Sequence, residues 1–70
     1  MAVSYNKLWK LLIDRKMKKK DLIALSGVSK STIAKMVNDE HVSTEMIGKI
    51  CTALNCDVGD IMEIIHSEYQ

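Results

Sequence analysis

The chain has 70 residues, of which 47% are hydrophobic, so it can build one small core and is expected to form a single domain over residues 1–70. It has neither a run of about 18 apolar residues nor a basic-then-apolar start, so we expect no membrane span and no secretory signal, and predict a cytoplasmic protein. The net charge of +1 is the sum of two opposite halves, +7 over residues 1–35 and −6 over residues 36–70. This asymmetry fits a polyanionic partner on one face and a solvated surface whose halves attract each other equally well.

Helical spacing runs through the whole chain, and no stretch alternates as a strand would, so we predict an all-α fold. The first predicted helix spans about Tyr5 to Arg15, with Ser4 as its N-cap. Its apolar positions are Leu8, Leu11 and Leu12 on one face, and Trp9 and Ile13 on a second. The second pair makes the apolar stripe wider than one small core needs, so these two side chains belong either to the core or to a dimer seam.

The second and third predicted helices are separated by a glycine corner. The second spans about Lys19 to Ser26 and buries Leu22 and Leu25, and Gly27 follows where a left-handed backbone favours glycine. Val28 fills the corner and Ser29 caps the third helix, which runs to about Asn38. The third helix buries Ile33 and Met36, with Val37 as a further candidate for the core.

Two more helices complete the prediction. The fourth begins after a cap at Ser43 or Thr44 and ends at Asn55. Its apolar face consists of Met46, Ile47, Ile50, Cys51 and Leu54. A short fifth helix is capped by Asp57, with Asp60 three residues on, as in a capping box. The apolar residues assigned to it are Ile61, Met62, Ile64 and Ile65, and a flexible tail is expected from about residue 67.

The second helix, the corner at Gly27 and the third helix form a helix-turn-helix motif over about residues 19–38. A helix that enters the DNA major groove, which is about 12 Å wide, needs a short and polar outer face. The third helix has such a face, which consists of Ser29, Lys30, Ser31, Thr32, Ala34, Lys35 and Asn38. The pattern therefore predicts contact with double-stranded DNA through this helix.

The chain resembles the Cro/repressor-type helix-turn-helix family, the xenobiotic-response-element-like regulators of bacteria and phages. The resemblance rests on Asp21-Leu22, on the stretch from Leu25 to Ile33, and on the later Val42-Ser43 followed by apolar residues at helical spacing. It covers roughly residues 5–65. It implies a compact five-helix, lambda-repressor-like domain that binds operator DNA. Members commonly act as homodimers on inverted repeats and often repress transcription.

The resemblance also implies roles for individual residues. Lys19 stands where the family usually has a glutamine that reaches the phosphate backbone, and its neighbours Lys18 and Lys20 are expected to contact phosphate too. The matched positions on the third helix are Ser29, Lys30 and Ser31 at its start, and Thr32, Ala34, Lys35 and Asn38 further along. Whether the lysines contact bases or phosphates stays open, and Asn38 is equally suited to a helix C-cap. Lys7 or Lys10 is a further candidate for backbone contact.

Other kinds of site have little support in the sequence. Cys51 and Cys56 lack the spacing of a zinc site and are interpreted as ordinary reduced cysteines. Nucleophile–base arrangements and phosphate-binding glycine loops are absent from the sequence pattern, so we expect no enzymatic activity, cofactor, metal or small-molecule ligand. The alternative function is a protein-interaction module, antitoxin-like or an adaptor, that uses Trp9, Ile13 and the C-terminal apolar residues.

Overall fold

The structure is a computed structural model that describes residues 2–66. In this range the chain forms β1 (Ala2–Ser4), α1 (Asn6–Asp14), α2 (Lys19–Ser26), α3 (Lys30–Val37), α4 (Thr44–Leu54), a 3₁₀ turn (Val58–Asp60) and β2 (Glu63–Ile65). Among the helices of residues 2–66, none has the length and apolar character that crossing a membrane requires. The predicted flexible tail from about residue 67 lies outside the described residues.

The helix caps follow the sequence closely. The α4 helix begins after Ser43, whose hydroxyl accepts the Met46 N–H at 3.3 Å, and ends at Asn55 in the left-handed conformation. The α1 helix begins one residue later than predicted, because Ser4 belongs to β1. The Ser4 hydroxyl there accepts the Asn6 N–H at 3.3 Å instead of capping the helix directly.

The prediction of five helices is wrong, since the described residues form four α-helices and a two-stranded sheet. The predicted caps exist: the Asp57 carboxylate accepts the Val58 N–H at 2.7 Å, and the Asp60 carboxylate accepts the Asp57 N–H at 3.0 Å. They start only one 3₁₀ turn. The chain then extends and pairs antiparallel with β1, so that Val3 lies opposite Ile64.

The all-α prediction failed at this point because a short apolar run fits either period. Ile61, Ile64 and Ile65 have the i, i+3, i+4 spacing of a helix, but β-branched side chains also favour strands. The partner strand lies about sixty residues earlier, at the other end of the chain. A strand pair this distant in sequence leaves no local pattern, and tertiary pairing therefore decided the conformation.

A single hydrophobic core joins all the helices. Its buried side chains are Val3, Tyr5, Leu8, Leu12, Leu22, Val28, Ile33, Met36, Ile47, Ile50, Cys51, Leu54 and Ile61. The predicted burial of Leu25 is wrong, since this side chain is 57% exposed. Val37, a further candidate for the core, is 48% exposed and is not part of it. In α2 the inward positions are Leu22, Ile23 and Ser26, which leaves Leu25 on the outer side.

Hydrogen bonds connect the N-terminal end of α1 to the loop that follows α3. Tyr5 is 1% exposed, and its hydroxyl donates to the Glu40 carbonyl oxygen at 2.8 Å. Its backbone N–H donates to the Asp39 carboxylate at 3.2 Å. At the other end of α1, the Arg15 guanidinium donates to the Leu54 carbonyl oxygen at the end of α4, where a cation is favoured. These bonds connect α1 to the loop that follows α3 and to the end of α4.

Two glycine variants should change stability in opposite directions. Gly27 has φ +78°, whereas Gly48 lies inside α4, and an added Cβ would meet nothing within 4 Å at either site. We expect Gly27→Ala to lower the free energy of unfolding by about 1–2 kcal/mol, because a left-handed backbone is strained for alanine. Gly48→Ala should raise it by about 0.5–1 kcal/mol through helix propensity. Urea unfolding of both variants tests this, and shifts of the same sign would contradict the backbone explanation.

Candidate nucleic-acid interface

The corner between α2 and α3 is built from three consecutive residues, Ser26, Gly27 and Val28. The left-handed Gly27 ends α2, and its N–H donates to the Ile23 carbonyl oxygen at 3.0 Å. The Ser26 hydroxyl donates to the Leu22 carbonyl oxygen at 2.7 Å and accepts the Val28 N–H at 3.3 Å. Val28 is buried beneath the corner. These contacts fix the angle between the two helices and confirm the predicted roles of Gly27 and Val28.

The α3 helix has one buried face and one exposed face. Ile33 and Met36 are 4% and 0% exposed, so they hold the helix against the core as predicted. Every position predicted for DNA contact at residues 29–38 is exposed, except that Thr32 is half-buried. The exposed side chains are short or basic: Ser29, Lys30, Ser31, Ala34, Lys35 and Asn38. The structure thus brings these residues together on one face of one helix.

Three hydroxyl groups cluster at the start of α3. The Ser29 hydroxyl oxygen accepts the Thr32 N–H at 3.1 Å, which confirms Ser29 as the N-cap. It also lies 2.9 Å from both the Ser31 and the Thr32 hydroxyl oxygens. The cluster fixes the side chains of Ser31 and Thr32 at the end of the helix where the backbone N–H groups point outward. A phosphate or a base edge would meet a preorganised group of donors and acceptors there.

At the opposite end of α3, Asn38 acts on its own helix. Its side-chain amide donates to the Ala34 carbonyl oxygen at 3.3 Å, and its backbone is the C-cap. The sequence left a cap and a DNA contact open for this residue, and the structure shows the cap. Its contact with DNA stays a prediction.

The three lysines predicted to contact phosphate lie at the start of α2, and all are exposed. Lys18 is the N-cap residue but makes no cap bond with its side chain. Instead, the Asp21 carboxylate accepts the Lys18 N–H at 2.8 Å, as a capping-box acid does. Asp21 also places a negative charge in the first turn, which partly offsets the unfavourable lysines at the positive end of the helix dipole.

Trp9 is a neighbour of these lysines that the sequence did not reveal. The Lys19 ammonium nitrogen lies 5.2 Å from the centroid of the Trp9 ring, within range of a cation–π interaction. Trp9 and Lys19 are ten residues apart on different helices, so no spacing rule connects them. Lys7, which is a further candidate for contact with the DNA backbone, donates from its ammonium group to the Gly59 carbonyl oxygen of its own chain at 3.2 Å.

The two residues of the second apolar pair of α1, Trp9 and Ile13, differ in burial. Trp9 is half-buried against the core, whereas Ile13 is 73% exposed. A groove of about 490 Å³ runs along this surface. Its lining consists of Trp9, Leu12, Ile13, Met17, Lys18, Lys19 and Lys20. The lysine cluster thus borders an apolar groove, and Ile13 is not part of the core.

Comparisons with known proteins agree with this geometry. Residues 7–67 match the family model of the Cro/C1-type HTH DNA-binding domain. The crystal structure of the transcriptional regulator VanUg, form II, is similar with a TM-score of 0.89 and 57% sequence identity, over 94% of this chain and 88% of that chain. No curated protein gives a significant match. From the match over residues 7–67, the chain belongs to the Cro/C1-type helix-turn-helix DNA-binding domain family.

Proposed function

We propose that the protein is a sequence-specific DNA-binding transcriptional repressor whose α3 helix lies in the major groove. The observation that carries the proposal is that α3 has two different faces: Ile33 and Met36 are buried in the core, and the exposed side chains are short or basic apart from Val37, which is 48% exposed. Such a face can approach base edges closely, and a serine, threonine or lysine there can hydrogen-bond to them. The similar protein VanUg is a transcriptional regulator, which supports the same class of function.

The lysines at the start of α2 hold the phosphate backbone in this proposal. Phosphate contacts position a protein on the duplex without reading its sequence. Lys18, Lys19 and Lys20 are exposed, and they flank a helix start whose free N–H groups favour an anion. In this proposal, phosphate contacts at the start of α2 contribute mainly to DNA affinity, and base contacts from the exposed face of α3 determine sequence specificity.

We further propose that the protein binds as a homodimer and represses by occupying its operator. The exposed apolar side chains Ile13, Ile64 and Ile65 support self-association, since a small domain gains burial that way. A two-fold dimer reads an inverted repeat whose half-sites lie about 34–36 Å apart, one turn of DNA.

Selection of bound duplexes from a random pool tests the proposal most directly. We expect enrichment of an inverted repeat with half-sites one turn apart, and reduced expression of a reporter placed behind that site. Enrichment of a single half-site would contradict the dimer. Absence of any enriched sequence would contradict sequence-specific binding.

The variant Lys35→Ala tests whether Lys35 contacts a base or a phosphate. Lys35 is exposed in the last turn of α3. We expect its removal to weaken binding to the selected duplex by about 1–3 kcal/mol, with a smaller loss on random DNA. The control is Lys49→Ala, which removes the same charge from an exposed position on α4. Fluorescence anisotropy on both duplexes gives the result, and equal losses on the two duplexes would assign Lys35 to phosphate.

A protein-interaction module is the second candidate, and the exposed Ile13 in its apolar groove favours it. A partner that covers Trp9 and Ile13 would lie directly beside the lysines. A gel shift with duplex DNA at low salt separates the two functions. Failure to shift DNA at any concentration, together with a stable complex with a partner protein, would favour this second candidate.

A further inference from the structure

The end of α4 brings the two cysteines together. Asn55 adopts the left-handed conformation with φ 53° and ψ 53°, and its N–H donates to the Thr52 carbonyl oxygen at 3.3 Å. The Cys56 N–H donates to the Cys51 carbonyl oxygen at 3.0 Å. These two bonds define a Schellman motif, in which the first and last side chains of the loop commonly contact each other. In this chain those two positions are Cys51 and Cys56, and Cys56 packs against the hydrophobic core to which Cys51 belongs.

The two thiols differ in accessibility. Cys51 is 9% exposed and packs in the hydrophobic core. Cys56 is half-buried and lines an open groove of about 420 Å³ beside α1. Burial raises the pKa of the Cys51 thiol, and the neighbouring Cys56 thiol and the Asp57 carboxylate raise it further. A small reagent therefore reaches the Cys56 thiol more easily than the Cys51 thiol.

We propose that Cys51 and Cys56 are a modification site that forms a reversible intramolecular disulfide by exchange with a low-molecular-weight disulfide. This inference is independent of the DNA-binding proposal. The backbone bonds already close the six-residue loop in the reduced protein, so the cross-link joins groups that the fold holds side by side. Cytosolic disulfides, where they occur, are commonly transient, in keeping with a reversible bond.

The exchange proceeds in two balanced steps. The Cys56 thiolate attacks one sulfur of the reagent, so a mixed disulfide forms and the reagent's S–S bond breaks, releasing one reagent thiolate. The Cys51 thiolate then attacks the Cys56 sulfur, forms the internal disulfide and expels the second reagent thiolate. The protein loses two electrons and two thiol protons, and the reagent becomes two thiols.

Oxidised glutathione and the full-length reduced protein test the proposal by intact mass and peptide mapping. We expect the wild type to lose the mass of two hydrogen atoms and both free thiols, with a Cys51–Cys56 cross-linked peptide. Reduction with dithiothreitol should restore the original mass. The Cys51→Ser variant should instead keep one glutathione on Cys56, because nothing remains to displace it.

Contradictory outcomes are equally distinct. A wild type that retains glutathione on Cys56, as the Cys51→Ser variant is expected to do, would show that Cys51 cannot reach the mixed disulfide. Disulfide-linked dimers, or thiols that stay free, would also overturn the proposal. The wild-type measurement alone decides these cases, so the test survives if a serine variant fails to fold. DNA binding is not a readout here, so failure of the proposed function leaves the result unaffected.

Discussion

Replacing Lys18, Lys19 and Lys20 together by alanine is expected to lower duplex affinity by about two to three orders of magnitude for each bound chain at 0.1 M salt. Each lysine that neutralises one phosphate contributes about 0.9 to the slope of log K against log salt. The wild-type dimer, with about six to eight phosphate contacts, should show a slope of roughly −5 to −7. The variant's slope should be flatter by about 2.7 for each bound chain.

Folding should survive this triple substitution. The three side chains are exposed, and Lys18 makes no cap bond through its side chain. Removal of positive charge from a helix start relieves repulsion with the dipole, which offsets the loss of the Lys19–Trp9 cation–π contact, so the stability of the variant should stay close to that of the wild type. Circular dichroism of the unfolding transition verifies this before DNA is added.

The matched control replaces three exposed lysines outside the α2 start by alanine: Lys49, together with Lys7 and Lys10, one of which is a further candidate for contact with the DNA backbone. It removes the same net charge. We expect a clearly smaller loss of affinity and a smaller change of salt slope, both measured by anisotropy titrations at several salt concentrations. Equal losses in the two triple variants would mean that overall charge, rather than the start of α2, attracts the DNA. A wild-type slope near zero would contradict nucleic-acid binding altogether.

The variant Leu22→Ala is expected to lower the free energy of unfolding by about 2–5 kcal/mol. Leu22 is 0% exposed, and its helix packs against α4 as well as α3. Truncation removes buried methyl groups and leaves a cavity that the surrounding helices fill only in part. Natural domains are stable by about 5–15 kcal/mol in total, so the loss is a large fraction for a chain of this size.

Leu25 is the control for Leu22 on the same helix. It is the same residue type, three positions further along α2, but it is 57% exposed. We expect Leu25→Ala to change the free energy of unfolding by less than about 0.5 kcal/mol. Urea titrations of both variants measure the difference. Comparable losses would show that Leu25 is covered, for example by a second protein molecule, and a repeat at lower protein concentration would expose such a dependence.

Much of the fold and of the interface could be predicted from local patterns. The bounds of α2, the left-handed Gly27 and the caps at Ser29 and Ser43 all depend on residues within four positions of each other. The buried pair Ile33 and Met36 follows from helical spacing alone. A helix-turn-helix is a local motif, and its polar outer face is therefore visible before any tertiary structure is known.

Features that join distant residues could not be predicted in this way. The stacking of Lys19 on Trp9 and the fastening of Tyr5 to Glu40 each connect different elements. The proximity of Cys51 and Cys56 was missed for another reason. The sequence shows the positions of both cysteines but not the conformation of the loop between them. The closed Schellman motif at Asn55 brings Cys56 back towards the end of α4.

The sequence by itself determined the four helices, the corner between α2 and α3, and which face of α3 stays free for a partner. These follow from side-chain periodicity and from caps, which act over a few residues. Tertiary structure alone decided that residues 63–65 form a strand with residues 2–4 and that Leu25 and Ile13 lie outside the core. Those outcomes depend on how much apolar surface the neighbouring elements can cover, and that competition is settled only when the whole chain packs.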